Sequence, residues 1–245
     1  MRLSGAAVAE VEGAKMLRND VISWDTASRQ GSRQFNADAV AASMDGDSVV
    51  FALADGIGDS MWAGEAARVA SDVAARTPTA AGPVEAVLAA QRALDALNTG
   101  ADTLLVVAMP TEDGYDIAWV GDVRAYVWDG VELTQVTSDQ TMAEYFRLHD
   151  SVPTPRMEHV VTNSLRATSE ERIGRTTVTG VQSLLLSSDG VHKVVATEVI
   201  QGVLAEQGTT ALSRVSTLVD TAMLLGGTDN ATAVLVTTVS TIPAP

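Results

Sequence analysis

Five Asp-Gly pairs punctuate this chain, and they are of two kinds. Asp45-Gly46, Asp113-Gly114 and Asp129-Gly130 each lie between two strand-like runs. Asp-Gly favours the tight turn that joins antiparallel strands, so these three predict hairpins. Asp55-Gly56 and Asp189-Gly190 instead close the apolar runs 49–54 and 184–186. Behind Asp55-Gly56 come a Gly-containing loop and then an Ala-rich helical stretch opened by Gly64-Glu65. An acidic side chain at the end of a buried strand, followed by a Gly that lets backbone come close, is where a metal or a phosphate can sit. Two such strand ends point to one shared site.

The rest of the chain reads as antiparallel sheets with helices between them. Strands are predicted over residues 21–26, 38–44 and 48–54, then helices over 65–76 and 83–97. Pro83 suits the first helical position, and Asn98-Thr99-Gly100 ends that helix. Four strands follow, over 103–109, 115–120, 124–128 and 131–136, and are expected to form one antiparallel meander. Residues 138–148 read as a helix. Residues 151–171 carry two Pro and mixed polarity, and read as a mobile surface segment. A strand over 177–187, helices over 197–206 and 210–225, and a closing strand over 231–239 complete the chain. Gly226-Gly227 marks the last helix end. No linker or repeat divides the 245 residues, so one domain is expected over 1–245, with its core at about 20–240.

Composition excludes several functions. There are no Cys, which removes thiolate nucleophiles, disulfides and Cys-bound zinc. The three His, at 149, 159 and 192, have no i, i+4 pair, so a His-based zinc site is not expected. A net charge of −15 disfavours nucleic acid and anionic membranes as partners. No apolar run approaches transmembrane length and the first residues lack a signal-peptide core, so the chain reads as cytoplasmic.

Asp38, Asp122, Asp189 and Asp229 join Asp55 at strand ends or loops. Carboxylates gathered without His or Cys select oxygen-loving cations, Mg²⁺ or Mn²⁺. They repel one another unless a cation sits among them. Arg33, five residues before Asp38, offers a planar fork for a phosphoryl group. Any one of these Asp residues alone reads first as a turn former; together, in this order, they point to a site.

In register, these segments resemble the metal-dependent protein phosphatases of the protein phosphatase 2C-like (PPM) family, bacterial type. Arg33-x-x-Asn36-x-Asp38 resembles the family's Arg-x-x-Asn-Glu-Asp, and Ala54-Asp55-Gly56-Ile57-Gly58 with Gly64-Glu65 its Ala-Asp-Gly-Met-Gly-Gly…Gly-Glu. Val120-Gly121-Asp122-Val123-Arg124-Ala125-Tyr126 resembles Val-Gly-Asp-Ser-Arg-Ala-Tyr. Leu185-Leu186-Ser187-Ser188-Asp189-Gly190 and Gly226-Gly227-Thr228-Asp229-Asn230-Ala231-Thr232 match the last two motifs. The resemblance implies an α+β fold, a four-layer α-β-β-α sandwich of two antiparallel sheets flanked by helix pairs. It implies Mn²⁺ or Mg²⁺, two ions, bound by Asp55, the Gly56 carbonyl, Asp189 and Asp229, with Asp122 reaching a third, weaker ion. Arg33 would hold the substrate phosphate, and Asp38 a metal-bound water. A metal-bridging hydroxide would attack phosphoserine or phosphothreonine directly. The expected partners are phosphorylated protein substrates of a Ser/Thr kinase, and the chain is expected to be a monomer.

Four positions depart from the family pattern. Ala37 replaces a Glu, Asp59 a Gly, Val123 a Ser, and Lys193 an Asp. The outer ring of the site is thus thinned. The alternative reading is a catalytically weak, phosphatase-like regulatory or binding module. Lys193 is expected either to pair with Asp122 and leave the third ion weak or absent, or to point into solvent.

Overall fold

The computed structural model describes residues 13–17, 20–206 and 208–240. The first half runs β1 (Gly13–Leu17), β2 (Asp20–Arg29), β3 (Asp38–Asp45), β4 (Ser48–Gly56), α1 (Met61–Arg76), α2 (Pro83–Ala96), β5 (Thr103–Pro110) and β6 (Gly114–Val120). The second runs β7 (Arg124–Trp128), β8 (Leu133–Gln135), α3 (Met142–Leu148), β9 (Gly174–Thr179), β10 (Ser183–Ser187), α4 (Asp189–His192), α5 (Thr197–Ala205), α6 (Ala211–Leu224) and β11 (Ala231–Ser240). One sheet has the order β1-β2-β11-β10-β7-β8, the other β3-β4-β5-β6-β9. All three predicted hairpins form: β3–β4, β5–β6 and β7–β8 are antiparallel neighbours.

Alternation along the strands builds the layers. Phe51 and Leu53 of β4, Leu184 and Leu186 of β10, and Val234 and Val236 of β11 pack between the two sheets. Their neighbours in sequence point the other way. Val50, Ala52 and Ala54 meet α1 and α2, while Leu185 and Leu235 meet α5 and α6. Strands covered on both faces read as continuous apolar runs, which is why 49–54 and 184–186 stood out. α1 buries Ala63, Ala66, Ala67, Ala70 and Ala74, and these small side chains let it lie close on its sheet. Trp24 meets Phe51 edge to face at 5.5 Å and ties the sheets together. The result is the expected α-β-β-α sandwich.

Several expectations are corrected. The four strands after α2 do not form one meander: β6 pairs with β9 and β7 with β10, in different sheets. The crossing occurs at Gly121, whose φ of +95° suits Gly alone. Likewise the strand expected over 177–187 is two strands, β9 and β10, again one in each sheet. Both sheets bury both faces, so hydrophobic pattern does not tell them apart. Residues 151–171 are not wholly a surface piece. Leu165 is fully buried, its amide donates to the Thr103 carbonyl, and Asn163 is buried against Gln140 and Thr168. β1 was not anticipated, and α1 begins at Met61 rather than 65 because Ser60 caps it, accepting from the Ala63 amide at 3.1 Å. Among the described residues, no helix is long and apolar enough to cross a membrane.

Candidate active site

The strand order delivers the singled-out residues to one end of the sandwich. Asp38 opens β3 and Asp55 lies at the end of β4, and the two are direct cross-strand partners. Asp122 follows the crossover glycine after β6, Asp189 opens α4 after β10, and Asp229 precedes β11. Arg33 lies in the loop between β2 and β3. The hairpin turns 46–47, 111–113 and 129–132 lie at the other strand ends.

Gly56 is required by close approach. A Cβ there would lie 2.5 Å from the Ala63 carbonyl and 2.7 Å from that of Ala37. The Gly56 amide donates to the Ala37 carbonyl at 3.0 Å, which closes the strand end onto the Arg33 loop.

Asp55 is the electrostatic centre. Burial raises the pKa of its carboxyl well above the usual range, and Asp38, Asp189, Asp122 and Asp229 raise it further. Burial likewise pushes Asp38 up to about 7, against hydrogen bonds from Thr232 and Ser188 that favour the ionised form. The Ser188 hydroxyl donates to Asp38 Oδ2 at 2.7 Å. Asp55 therefore lies under the influence of four other carboxylates at this end of the sandwich.

Two cations answer them. Arg33 Nη2 meets Asp229 Oδ2 at 2.6 Å, with both side chains half-exposed. Lys193 Nζ meets Asp122 Oδ2 at 2.5 Å and Asp189 Oδ2 at 2.9 Å. The Lys193 side chain is 15% exposed and that of Asp122 only 2%. Burial works against the charge on Lys193, yet Asp189 and Asp122 outweigh it and raise its pKa. The solvent-facing alternative for Lys193 is thus corrected: it bridges two of the carboxylates.

The donor set suits a hard divalent cation, because it consists of crowded carboxylates and carbonyls with no thiolate. Mutual repulsion around Asp55 is the stress that such an ion relieves. Among the described residues, however, no three His, Asp or Glu side chains already form a cluster ready to hold an ion. Arg33 and Lys193 engage oxygens of three of the five acids.

No protein-family model and no curated protein matches the sequence. Solved structures do match. The catalytic domain of the serine/threonine protein phosphatase PstP, in complex with two manganese ions, superposes with a TM-score of 0.77 at 26% identity, over 90% of this chain and 99% of that one. The PPM Ser-Thr phosphatase MsPP from Mycobacterium smegmatis, in complex with cacodylate, gives 0.71 at 26% identity, over 88% and 97%. The phosphatase Stp1 from Staphylococcus aureus gives 0.75 at 22% identity, over 99% and 100%, a likeness of fold. These matches support the resemblance to the PPM-type Ser/Thr phosphatases.

Within this PPM fold, three supporting residues carried no assigned role in the sequence reading. Ser188 bonds Asp38 and also accepts from the Thr232 amide at 2.9 Å. Asn230 accepts from the Ala37 amide at 2.8 Å and donates to the Gln30 and Phe35 carbonyls at 2.8 and 3.0 Å. Asp59, one of the departures, accepts from the Gln34 and Phe35 amides at 3.0 Å and so holds the Arg33 loop. Those bonds lower the pKa of Asp59. Ser188 and Asn230 lie inside quoted motifs, so position marked them. What they bond to was not readable.

Proposed function

We propose that this chain is a metal-dependent phosphatase acting on phosphoserine and phosphothreonine in proteins. The observation that carries the reading is the gathering of Asp38, Asp122, Asp189 and Asp229 around the buried Asp55 at one sandwich end, with Arg33 beside them. The absence of Cys agrees with a reaction that needs no thiolate nucleophile. Asp55, the Gly56 carbonyl, Asp189 and Asp229 would hold Mn²⁺ or Mg²⁺, and the two manganese ions in PstP support a two-ion complement. Bound divalent ions supply Lewis-acid charge and lower the pKa of water.

The chain's own residues do the rest. Among the described residues, only Nη2 of Arg33 is engaged by an acid, which leaves Nε and Nη1 for phosphoryl oxygens. Asp38, held at Oδ2 by the Ser188 hydroxyl, would orient a water at the site. We place this activity on residues 20–240 as one domain of a cytoplasmic monomer, opposed to a Ser/Thr kinase. The net charge of −15 supports protein rather than nucleic-acid substrates.

The test is hydrolysis of p-nitrophenyl phosphate and of a phosphothreonine peptide with added Mn²⁺ or Mg²⁺. Activity is expected to vanish in EDTA, and the ion is expected to raise Tm, because it binds only the folded state. Turnover by metal-stripped protein would overturn the proposal. A second reading, a phosphatase-like binding module, is favoured by the ammonium on Asp122 and Asp189. It predicts metal or phosphopeptide binding without turnover.

Arg33→Ala separates phosphate capture from metal capture. A charge-assisted bond to a phosphoryl group, partly open to solvent, is worth about 2 kcal/mol, so kcat/KM should fall roughly 30-fold. Most of the change should be in KM, with the Mn²⁺ dependence of Tm nearly kept. Unchanged kinetics would reduce Arg33 to a partner of Asp229.

A further inference from the structure

Lys193 occupies an unusual position for an ammonium. It closes the short α4, its amide donating to the Asp189 carbonyl at 3.0 Å, so its side chain runs back over Asp189. From there Nζ reaches Asp189 Oδ2 at 2.9 Å and crosses to Asp122 Oδ2 at 2.5 Å, on the segment that changes sheets. A buried carboxylate such as Asp122 needs a compensating charge, and among the described residues Lys193 is the only cation paired with it.

We propose that the Lys193 ammonium is a tethered, permanent cation of this site, which takes Asp122 out of the metal-binding set and leaves Asp189 shared. A divalent ion bound through Asp122 and Asp189 would have to sit where the ammonium sits. Two cations cannot both be accommodated between the same pair of oxygens. Metal binding is then confined to Asp55, the Gly56 carbonyl, the free oxygen of Asp189, and Asp229. Lys193 acts as a positioning residue. It fixes the Asp189 carboxylate from one side and sets how many ions the site accepts. This rests on the phosphatase reading for the identity of the ions, but not for the pairing itself.

The experiment counts ions. Purified wild type, Lys193→Asp and Lys193→Met are dialysed against Mn²⁺, and bound manganese per chain is measured by elemental analysis. Tm is recorded in EDTA and in Mn²⁺. Lys193→Asp is expected to hold one more manganese per chain than wild type. Lys193→Met, which keeps the length and removes the charge, is expected to lose about 10 °C of Tm in EDTA, because Asp122 is left buried and unpaired. Mn²⁺ should restore more of that loss than it adds to wild type, a response that a merely structural lysine would not give. An equal ion count in wild type and Lys193→Asp overturns the proposal, as does an unchanged Tm for Lys193→Met in EDTA. If Lys193→Asp does not fold, the Met variant decides. If wild type binds no manganese, the phosphatase reading fails. The Lys193 inference then stands or falls on whether Lys193→Asp gains an ion and Lys193→Met loses stability.

Discussion

Asp55→Asn is expected to reduce Mn²⁺-dependent turnover by about 10³-fold while raising the Tm of the metal-free protein. The opposite signs follow from one fact. Burial, then Asp38, Asp189, Asp122 and Asp229 in that order, make an ionised Asp55 costly in the folded state. Asn keeps the shape and one acceptor oxygen but carries no charge, so the repulsion disappears. The same loss removes one of the carboxylates proposed to hold the ions. The Mn²⁺-induced rise in Tm should therefore shrink sharply in the variant. A stable variant with ordinary turnover would remove Asp55 from the centre of the site. Sites that trade stability for chemistry commonly show this pattern.

The pH dependence in EDTA carries the same signature. Asp38 has its pKa raised from 3.8 to about 7, chiefly by burial, and Asp55 is also raised. The folded protein thus holds protons that the unfolded chain has released. Stability must then fall as pH rises from about 4 through about 7, where Asp38 ionises. Asp55→Asn removes one contributor, so its Tm advantage over wild type should widen with pH across that window. Added Mn²⁺ should flatten the wild-type profile, because a cation offsets the charges as they appear.

Much of this site was legible because its acids lie where apolar strands stop. Asp55 and Asp189 stand out against three hairpin Asp-Gly pairs that the structure confirms as turns. Asp38 and Asp229 needed the motif context, since a lone Asp at a strand end or loop reads first as a turn former. The assignment of strands to sheets was not legible. Val106 of β5 and Leu184 of β10 face the same inter-sheet core from opposite sheets, and nothing in their local sequence says which sheet each joins. Contacts between residues far apart in sequence were hidden for the same reason. Lys193 and Asp122 are 71 positions apart, and two outcomes for that lysine stayed open until the fold brought them together. The changed positions also show how a site can keep its centre while its rim drifts. Asp59 in place of Gly gains bonds to the Arg33 loop, whereas Ala37 in place of Glu is buried and offers the site no side-chain oxygen.

Asn230→Ala is expected to cost about 2–5 kcal/mol of stability and to lower activity more than its distance from any reacting atom suggests. The Asn230 side chain is buried and links the start of β11 to both ends of the loop that carries Arg33. Alanine leaves the buried Ala37 amide without its acceptor and frees the Gln30 and Phe35 carbonyls. The carbonyls can turn to water, but the Ala37 amide cannot do so easily, since Ala37 is 2% exposed. That amide adjoins Asp38, and the Ala37 carbonyl holds the Gly56 amide. Loosening this one residue thus loosens Asp38, Gly56 and the Arg33 loop together. Well-positioned groups lose rate steeply with small displacements, so kcat/KM should fall roughly 100-fold. Asn230→Asp provides the discriminating comparison. It keeps the acceptor for the Ala37 amide and loses only the donors, while adding a charge beside Asp229. Its metal-free Tm should fall below wild type, and Mn²⁺ should recover it more fully than it recovers Asn230→Ala. If Asn230→Ala retains wild-type Tm and kinetics, Asn230 does not hold the loop. The Arg33 loop would then owe its position to Asp59 and to the Ser32 amide bond with the Thr228 carbonyl at 3.0 Å.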